Sequence, residues 1–183
     1  IADAAAFIRQ HCETSGHPLR LVINATGILQ SPHPPEKSWA QLDATAMAHM
    51  FAINTVGPAL LMKHFLPLLP REGKSVFAAL SAKVGSIADN RLGGWYSYRA
   101  SKAALNQLVH TAAIELRRRH PHAVCVALHP GTVETALSSP FAKTGLDVVS
   151  PAQAATRLLA VIDGLVAEDS GGFFNHDGSA LSW

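Results

Sequence analysis

Apolar positions along the chain fall into two patterns. Short aliphatic runs, Leu19-Arg20-Leu21-Val22-Ile23, Ser75-Val76-Phe77-Ala78-Ala79-Leu80 and Val124-Cys125-Val126-Ala127-Leu128, have the length and β-branched content of buried strands. A further strand is expected over Gly172 to His176, ahead of a turn at Asp177-Gly178. Longer stretches between these runs read as helices. The first covers Ala2 to Cys12 and stops at Ser15-Gly16-His17-Pro18. The second begins after Asp43, a suitable N-cap, and runs to about Leu66. The third carries Tyr98 and ends near Arg119-His120-Pro121; the fourth starts with Pro151 in its first turn and runs to about Ala167. Ser31-Pro32-His33-Pro34-Pro35 is too rich in proline for a helix or a central strand. Gly57-Pro58 inside the second helix removes a backbone hydrogen bond and predicts a kink near Asn54. Strands alternating with helices give an α/β class with a parallel sheet and right-handed crossovers.

Composition narrows the function classes. The 183 residues are 48% hydrophobic and 15% charged, which suits one domain whose strands are covered on both faces. A net charge of +2 points to neither nucleic acid nor an anionic membrane, and Arg117-Arg118-Arg119 suits the carboxyl end of its helix. Cys12 and Cys125 make no disulfide framework, and ten histidines without an HxxxH or HExxH pair make no metal site. No signal peptide opens the sequence and no unbroken apolar run reaches the ~20 residues of a membrane span, so a cytoplasmic location is expected.

The chemistry concentrates in Trp95-Tyr96-Ser97-Tyr98-Arg99-Ala100-Ser101-Lys102-Ala103-Ala104-Leu105. Tyr98 and Lys102 are one helical turn apart and share a face. An ammonium held near a phenol favours phenolate, lowering a pKa that begins near ~10, and such a phenol can exchange a proton with a substrate oxygen. Around this pair stand Asn24-Ala25-Thr26-Gly27 at the end of the first strand and Gly85-Ser86-Ile87 after the second. Pro130-Gly131-Thr132-Val133-Glu134-Thr135 follows the third, and Gly171-Gly172-Phe173-Phe174 precedes the end of the chain. In this order the segments resemble the short-chain dehydrogenase/reductase family, of classical type, over nearly all of the chain. The likeness is nearest to its C-factor-like and sniffer-like carbonyl reductases, through Gly93-Gly94-Trp95 and the YxYRASKAALN string.

The resemblance implies a Rossmann-like, doubly wound sheet and an NAD(P)-dependent oxidoreductase that interconverts a carbonyl and an alcohol. In that scheme Tyr98 protonates the carbonyl oxygen, while Lys102 biases Tyr98 and grips the nicotinamide ribose. Asn54 opens its helix locally and holds a water that relays protons from Lys102. Asn24, Ala25 and Gly27 let backbone approach the cofactor, and Pro130, Gly131, the Val133 backbone and the Thr135 hydroxyl fix the nicotinamide carboxamide. NADP is favoured over NAD, and the helices carrying Tyr98 and Asn54 pair in a homodimer or homotetramer. Trp95, Tyr96, Leu137 and Phe141 line either an apolar substrate pocket or ordinary core, and the short 135–151 connection suits a compact carbonyl compound.

Two departures stand out. The family's amino-terminal glycine-rich turn is not found before Asn24, so residues 1–183 match the carboxyl-terminal three-quarters of such a domain, either part of a longer polypeptide or a short form without dinucleotide binding. Ala82 occupies the position of the family's catalytic serine. Slow catalysis through Tyr98 alone, rescue by Ser81 or Ser86, and a nucleotide-binding regulator or signalling protein are the three alternatives this leaves. A nucleotide-sugar epimerase would need a second domain after the last strand.

Overall fold

The computed structural model describes residues 1–30, 34–138 and 147–183. Four parallel strands form the sheet in the order β1 (Leu21–Asn24), β2 (Ser75–Leu80), β3 (Ala123–His129) and β6 (Phe173–Asn175). Their register pairs Leu21 with Val76, Val76 with Val124 and Ala127 with Phe173.

Alternation along these strands decides which helix covers which face. Phe77, Ala79, Cys125 and Ala127 point to one side, where Met62 of α3 (Gly57–Phe65) and Leu105, Val109 and Leu116 of α4 (Tyr96–Arg117) close the core. Val76, Ala78, Val124, Val126 and Leu128 point to the other, against Leu158 and Ile162 of α5 (Pro151–Gly164). Helices on both faces make the sheet doubly wound, as the sequence pattern predicts.

Local chemistry sets the element ends. α1 (Ala2–Ser15) runs three residues beyond Cys12 and closes on Gly16 at φ 71, within the expected stop. Asp43 caps α2 (Ala44–Phe51) by accepting Ala46 N at 2.7 Å, and Ser150 with Gln153 forms a capping box on α5. The expected disturbance near Asn54 takes the form of a π-helical turn, Ala52–Val56, between α2 and α3. Pro58 lacks the N–H that Asn54 O would accept in a regular helix, and the extra residue in the turn absorbs the defect. The continuous helical stretch 44–68, of mean hydropathy 1.2, is long and apolar enough to cross a membrane by length and composition. Its Met50, Asn54, Thr55, Pro58 and Met62 are buried against the rest of the fold.

Two differences from the sequence reading concern the carboxyl-terminal half. α5 ends at Gly164, and Ala167–Asp169 forms a separate 3-10 turn. A small second sheet, β4 (Thr132–Val133) beside β5 (Val148–Val149), anchors the segment that follows the third strand.

Candidate functional site

The exit of β2 and the first turns of α4 are joined residue by residue. Leu80 O accepts the Lys102 ammonium at 2.9 Å, and Ser81 Oγ donates to Asn106 Oδ1 at 2.6 Å. Ala82 packs with Tyr98, Leu29 and Met50 in an apolar cluster bordered by Ile28, Val84 and Trp95. Gly85 permits this approach, because a Cβ there would sit 2.8 Å from Lys102 Cβ. Lys102 Nζ lies 6.0 Å from the centre of the Tyr98 ring, and the two side chains are 4% and 8% exposed.

The expected acidification of Tyr98 is reversed in this arrangement. Burial among Leu29, Met50 and Ala82 pushes the phenol up to about 12, and burial brings Lys102 down to about 8. Desolvation outweighs an ammonium that is held by Leu80 O rather than by the phenol. At neutral pH the pair is therefore a phenol that keeps its proton beside a largely protonated amine.

Asn54 is fully buried and holds the chain just beyond Gly27. Its Oδ1 accepts Ile28 N at 2.8 Å, and its Nδ2 donates to Ile28 O at 2.8 Å and to Ser101 Oγ at 3.1 Å. The Asn54 side chain thus clamps Ile28, while the helix opens locally at the π-helical turn that contains it. Gly27 lies between Asn54 and Lys102: a Cβ in its place would be 3.3 Å from Lys102 Nζ and 3.4 Å from Asn54 Oδ1. Asn24 Oδ1 accepts Thr26 N at 3.1 Å and Thr26 Oγ1 at 2.7 Å, while its buried Nδ2 has no partner among the described residues. Ala25 is exposed at the strand end.

On the β3 side, Pro130 leads into Gly131, whose φ of 78 and close approach to His176 (a Cβ would lie 2.8 Å from its ring) both require glycine. Val133 O accepts the Ser138 hydroxyl, and Thr135 Oγ1 lies 3.2 Å from Ser138 Oγ, so Ser138 ties together the two groups predicted to meet a carboxamide. Of the substrate-lining candidates, Ala82 and Trp95 gather at Tyr98, with Trp95 edge-on to its ring at 6.2 Å. Tyr96 is half-buried at the start of α4, Leu137 is exposed after β4, and Phe141 lies outside the described residues. Ser81 is turned to Asn106, and Ser86 Oγ donates to Trp183 O at 3.2 Å, so neither stands in for the missing serine.

Sequence reasoning missed Ser138 and Glu36. Glu36 reaches the start of α4 across 61 positions, and the sole signal for it is a helix that begins after Gly93-Gly94-Trp95 without a capping side chain of its own.

His129, at the end of β3, keeps a buried Nδ1 without a partner among the described residues. Burial, with the charges of His176 and Lys83, brings it down to about 4. The unfolded chain takes up this proton near pH 6.5 and the folded one near 4, so stability falls as pH drops through that window, by up to about 3 kcal/mol. His129→Gln is expected to flatten the fall of Tm between pH 6.5 and pH 4 in calorimetry, relative to the unsubstituted protein.

The residues fit the nicotinamide–ribose half of a dinucleotide. A buried ammonium has Leu80 O as its hydrogen-bond acceptor among the described residues, which leaves two of its three donors for ribose hydroxyls. A glycine opens the space beside it, and an orphaned Asn24 amide is buried at the strand's carboxyl end, where ligands of open parallel sheets lie.

A family model described as enoyl-(acyl carrier protein) reductase matches residues 2–162. The chain belongs to the short-chain dehydrogenase/reductase family. It is 37% identical to the C-signal protein of Myxococcus xanthus over 171 residues, 91% of this chain and 93% of that one. It is 38% identical to 1-hydroxy-2-glutathionyl-2-methyl-3-butene dehydrogenase of Rhodococcus sp. strain AD45, over 78% of this chain and 61% of that protein. Among solved structures, the NADPH-bound carbonyl reductase from chicken fatty liver superposes with a TM-score of 0.84 at 31% identity, over all of this chain and 72% of that one. The carbonyl reductase Sniffer of Drosophila melanogaster gives 0.82 at 28% identity, over 99% of this chain and 74% of that one.

Proposed function

We propose that this short-chain dehydrogenase/reductase is an NAD(P)-dependent carbonyl reductase with Tyr98 as its general acid. The observation that carries this reading is the buried Tyr98–Lys102 pair, whose ammonium lies beside Gly27. When bound, the reduced nicotinamide supplies the hydride to the carbonyl carbon. Lys102 holds the ribose through its ammonium, while Val133 and Thr135 orient the ring amide. Tyr98 transfers its proton to the oxygen as negative charge grows there, and the phenolate left behind faces the Lys102 ammonium until it is reprotonated. In alcohol oxidation the same groups run in reverse. The apolar surround of Leu29, Met50, Ala82 and Trp95 suits a small, largely hydrocarbon aldehyde or ketone. NADP is the preferred cofactor on the likeness to the NADPH-bound chicken enzyme. The groove between α3 and α4, lined by Met62, Leu66, Leu108 and Ala112, is where two copies would pair.

Ala82 and the likeness to C-signal favour one second reading, a nucleotide-binding signalling protein with little turnover. The two are separated by titrating the full-length protein with NADPH and NADH through nicotinamide fluorescence and then adding a panel of small aldehydes and ketones. Saturable binding followed by cofactor oxidation is the expected result. Binding without oxidation favours the signalling protein, and absence of binding removes both.

A further inference from the structure

The start of α4 is built differently from those of α2 and α5. Asp43 and Ser150 cap those helices with their own side chains. α4 follows Gly93, Gly94 and Trp95, all left-handed with φ of 64, 66 and 53, and Trp95 gives no side-chain cap. Among the described residues Trp95 is the sole non-glycine at positive φ. Such a start leaves backbone N–H groups without partners just ahead of Tyr98. Glu36, 9% exposed, supplies them from a distant segment. Its Oε2 accepts Ser97 N at 3.2 Å, its Oε1 accepts the Ser97 hydroxyl, and its main-chain oxygen accepts Trp95 N at 2.5 Å. Gly94 completes the fit, since a Cβ there would lie 3.4 Å from Glu36 O. Three acceptor oxygens of one residue therefore converge on Trp95 and Ser97, just ahead of Tyr98, and so on the turn that strains to present them.

We propose that Glu36 is a positioning residue of the catalytic centre: it caps α4 from outside the helix, fixes the direction in which Tyr98 leaves it, and sets a carboxylate against the helix's positive end. The inference rests on Tyr98 being the proton donor. The physical argument is electrostatic as well as steric. An uncapped helix start carries partial positive charge that favours a nearby anion, here a phenolate, and a carboxylate at the cap opposes it. Lys102 lies one turn on, and Arg99 is tied to Gly94 O at 3.0 Å and Val84 O at 3.1 Å. The Lys83–Asp89 ion pair, 3.8 Å apart, is exposed beyond Val84, and Met50 and Asn54 on the facing helix do not titrate.

The test uses the full-length protein with Glu36→Gln and Glu36→Ala. Glu36→Gln keeps an acceptor for Ser97 but removes the charge. Its Tm is expected to stay close to that of the unsubstituted protein, and the ionised fraction of Tyr98 at pH 11 is expected to rise about threefold. The probe is 13C-labelled tyrosine followed by NMR, with the Tyr98 resonance assigned by its loss in Tyr98→Phe. Where carbonyl turnover is measured, the alkaline limb of kcat/KM moves to lower pH in the same variant. Glu36→Ala removes the cap and is expected to lower kcat on the order of tenfold with KM nearly unchanged. An unshifted Tyr98 titration in Glu36→Gln overturns the proposal, and it does so even if Glu36→Ala fails to fold. A shifted titration with kcat intact in Glu36→Ala overturns the positioning role. If the protein reduces no carbonyl at all, the enzyme reading falls, while the NMR titration still decides the contact between Glu36 and Tyr98.

Discussion

Tyr98→Phe is expected to lower carbonyl turnover by about 10²–10⁴-fold, the range attached to a positioned general acid, while NADPH binding stays within a few-fold of the unsubstituted protein. The substitution keeps the ring that packs on Leu29, Met50 and Ala82 and removes the hydroxyl alone. Burial has already pushed that hydroxyl up to about 12, so at neutral pH it is a donor and its deletion leaves the developing alkoxide without a proton. Stability is not the cause of the loss, because the buried oxygen gives way to hydrogen in an apolar setting and Tm is expected to hold or rise. Stopped-flow absorbance of NADPH, set beside a thermal melt of the same sample, checks both halves. Equal turnover in the two proteins would remove Tyr98 from the chemistry.

Ala82→Ser is expected to raise turnover by about 10²–10³-fold, because it restores a hydrogen-bond donor beside the phenol. The position is right for it: Ala82 is 8% exposed and packs directly on Tyr98, so a hydroxyl added there enters the space a carbonyl oxygen must reach. The neighbouring serines do not already fill the role. Ser81 Oγ is committed to Asn106 at 2.6 Å, on the other side of the strand exit, and Ser86 Oγ to Trp183 O at 3.2 Å. The gain belongs in kcat rather than KM, since the new donor bonds most strongly to charge that develops in the transition state. Steady-state kinetics on one aldehyde of the panel reads the split. A variant no faster than the unsubstituted protein means that proton donation by Tyr98 suffices and that a later step limits the rate.

The strands β2 and β3 were legible because each is buried on both faces, which leaves a continuous aliphatic run that helices do not imitate in so few residues. Pro58 likewise located the irregular turn near Asn54, since a missing N–H has a fixed consequence one turn earlier. Three features were hidden for physical reasons. The β4–β5 pair consists of two-residue strands, too short to show any period. Glu36 and Ser138 act through contacts that a linear reading cannot rank, one of them 61 positions distant. The direction of the Tyr98 shift depends on burial, and a spacing of four residues reveals the neighbouring ammonium without revealing how little water surrounds the phenol. The site's cast was therefore visible in sequence, whereas the balance of charge and solvation within it needed coordinates.

Transfer of label is the most direct measurement of the central claim. The full-length protein is incubated with NADPH carrying deuterium at the reactive ring carbon and with a small aldehyde or ketone, and the alcohol is analysed by mass spectrometry. One deuterium on the carbinol carbon for each cofactor oxidised, lost in Tyr98→Phe, is the predicted result. Tight cofactor binding with no label in any alcohol across the panel would contradict it.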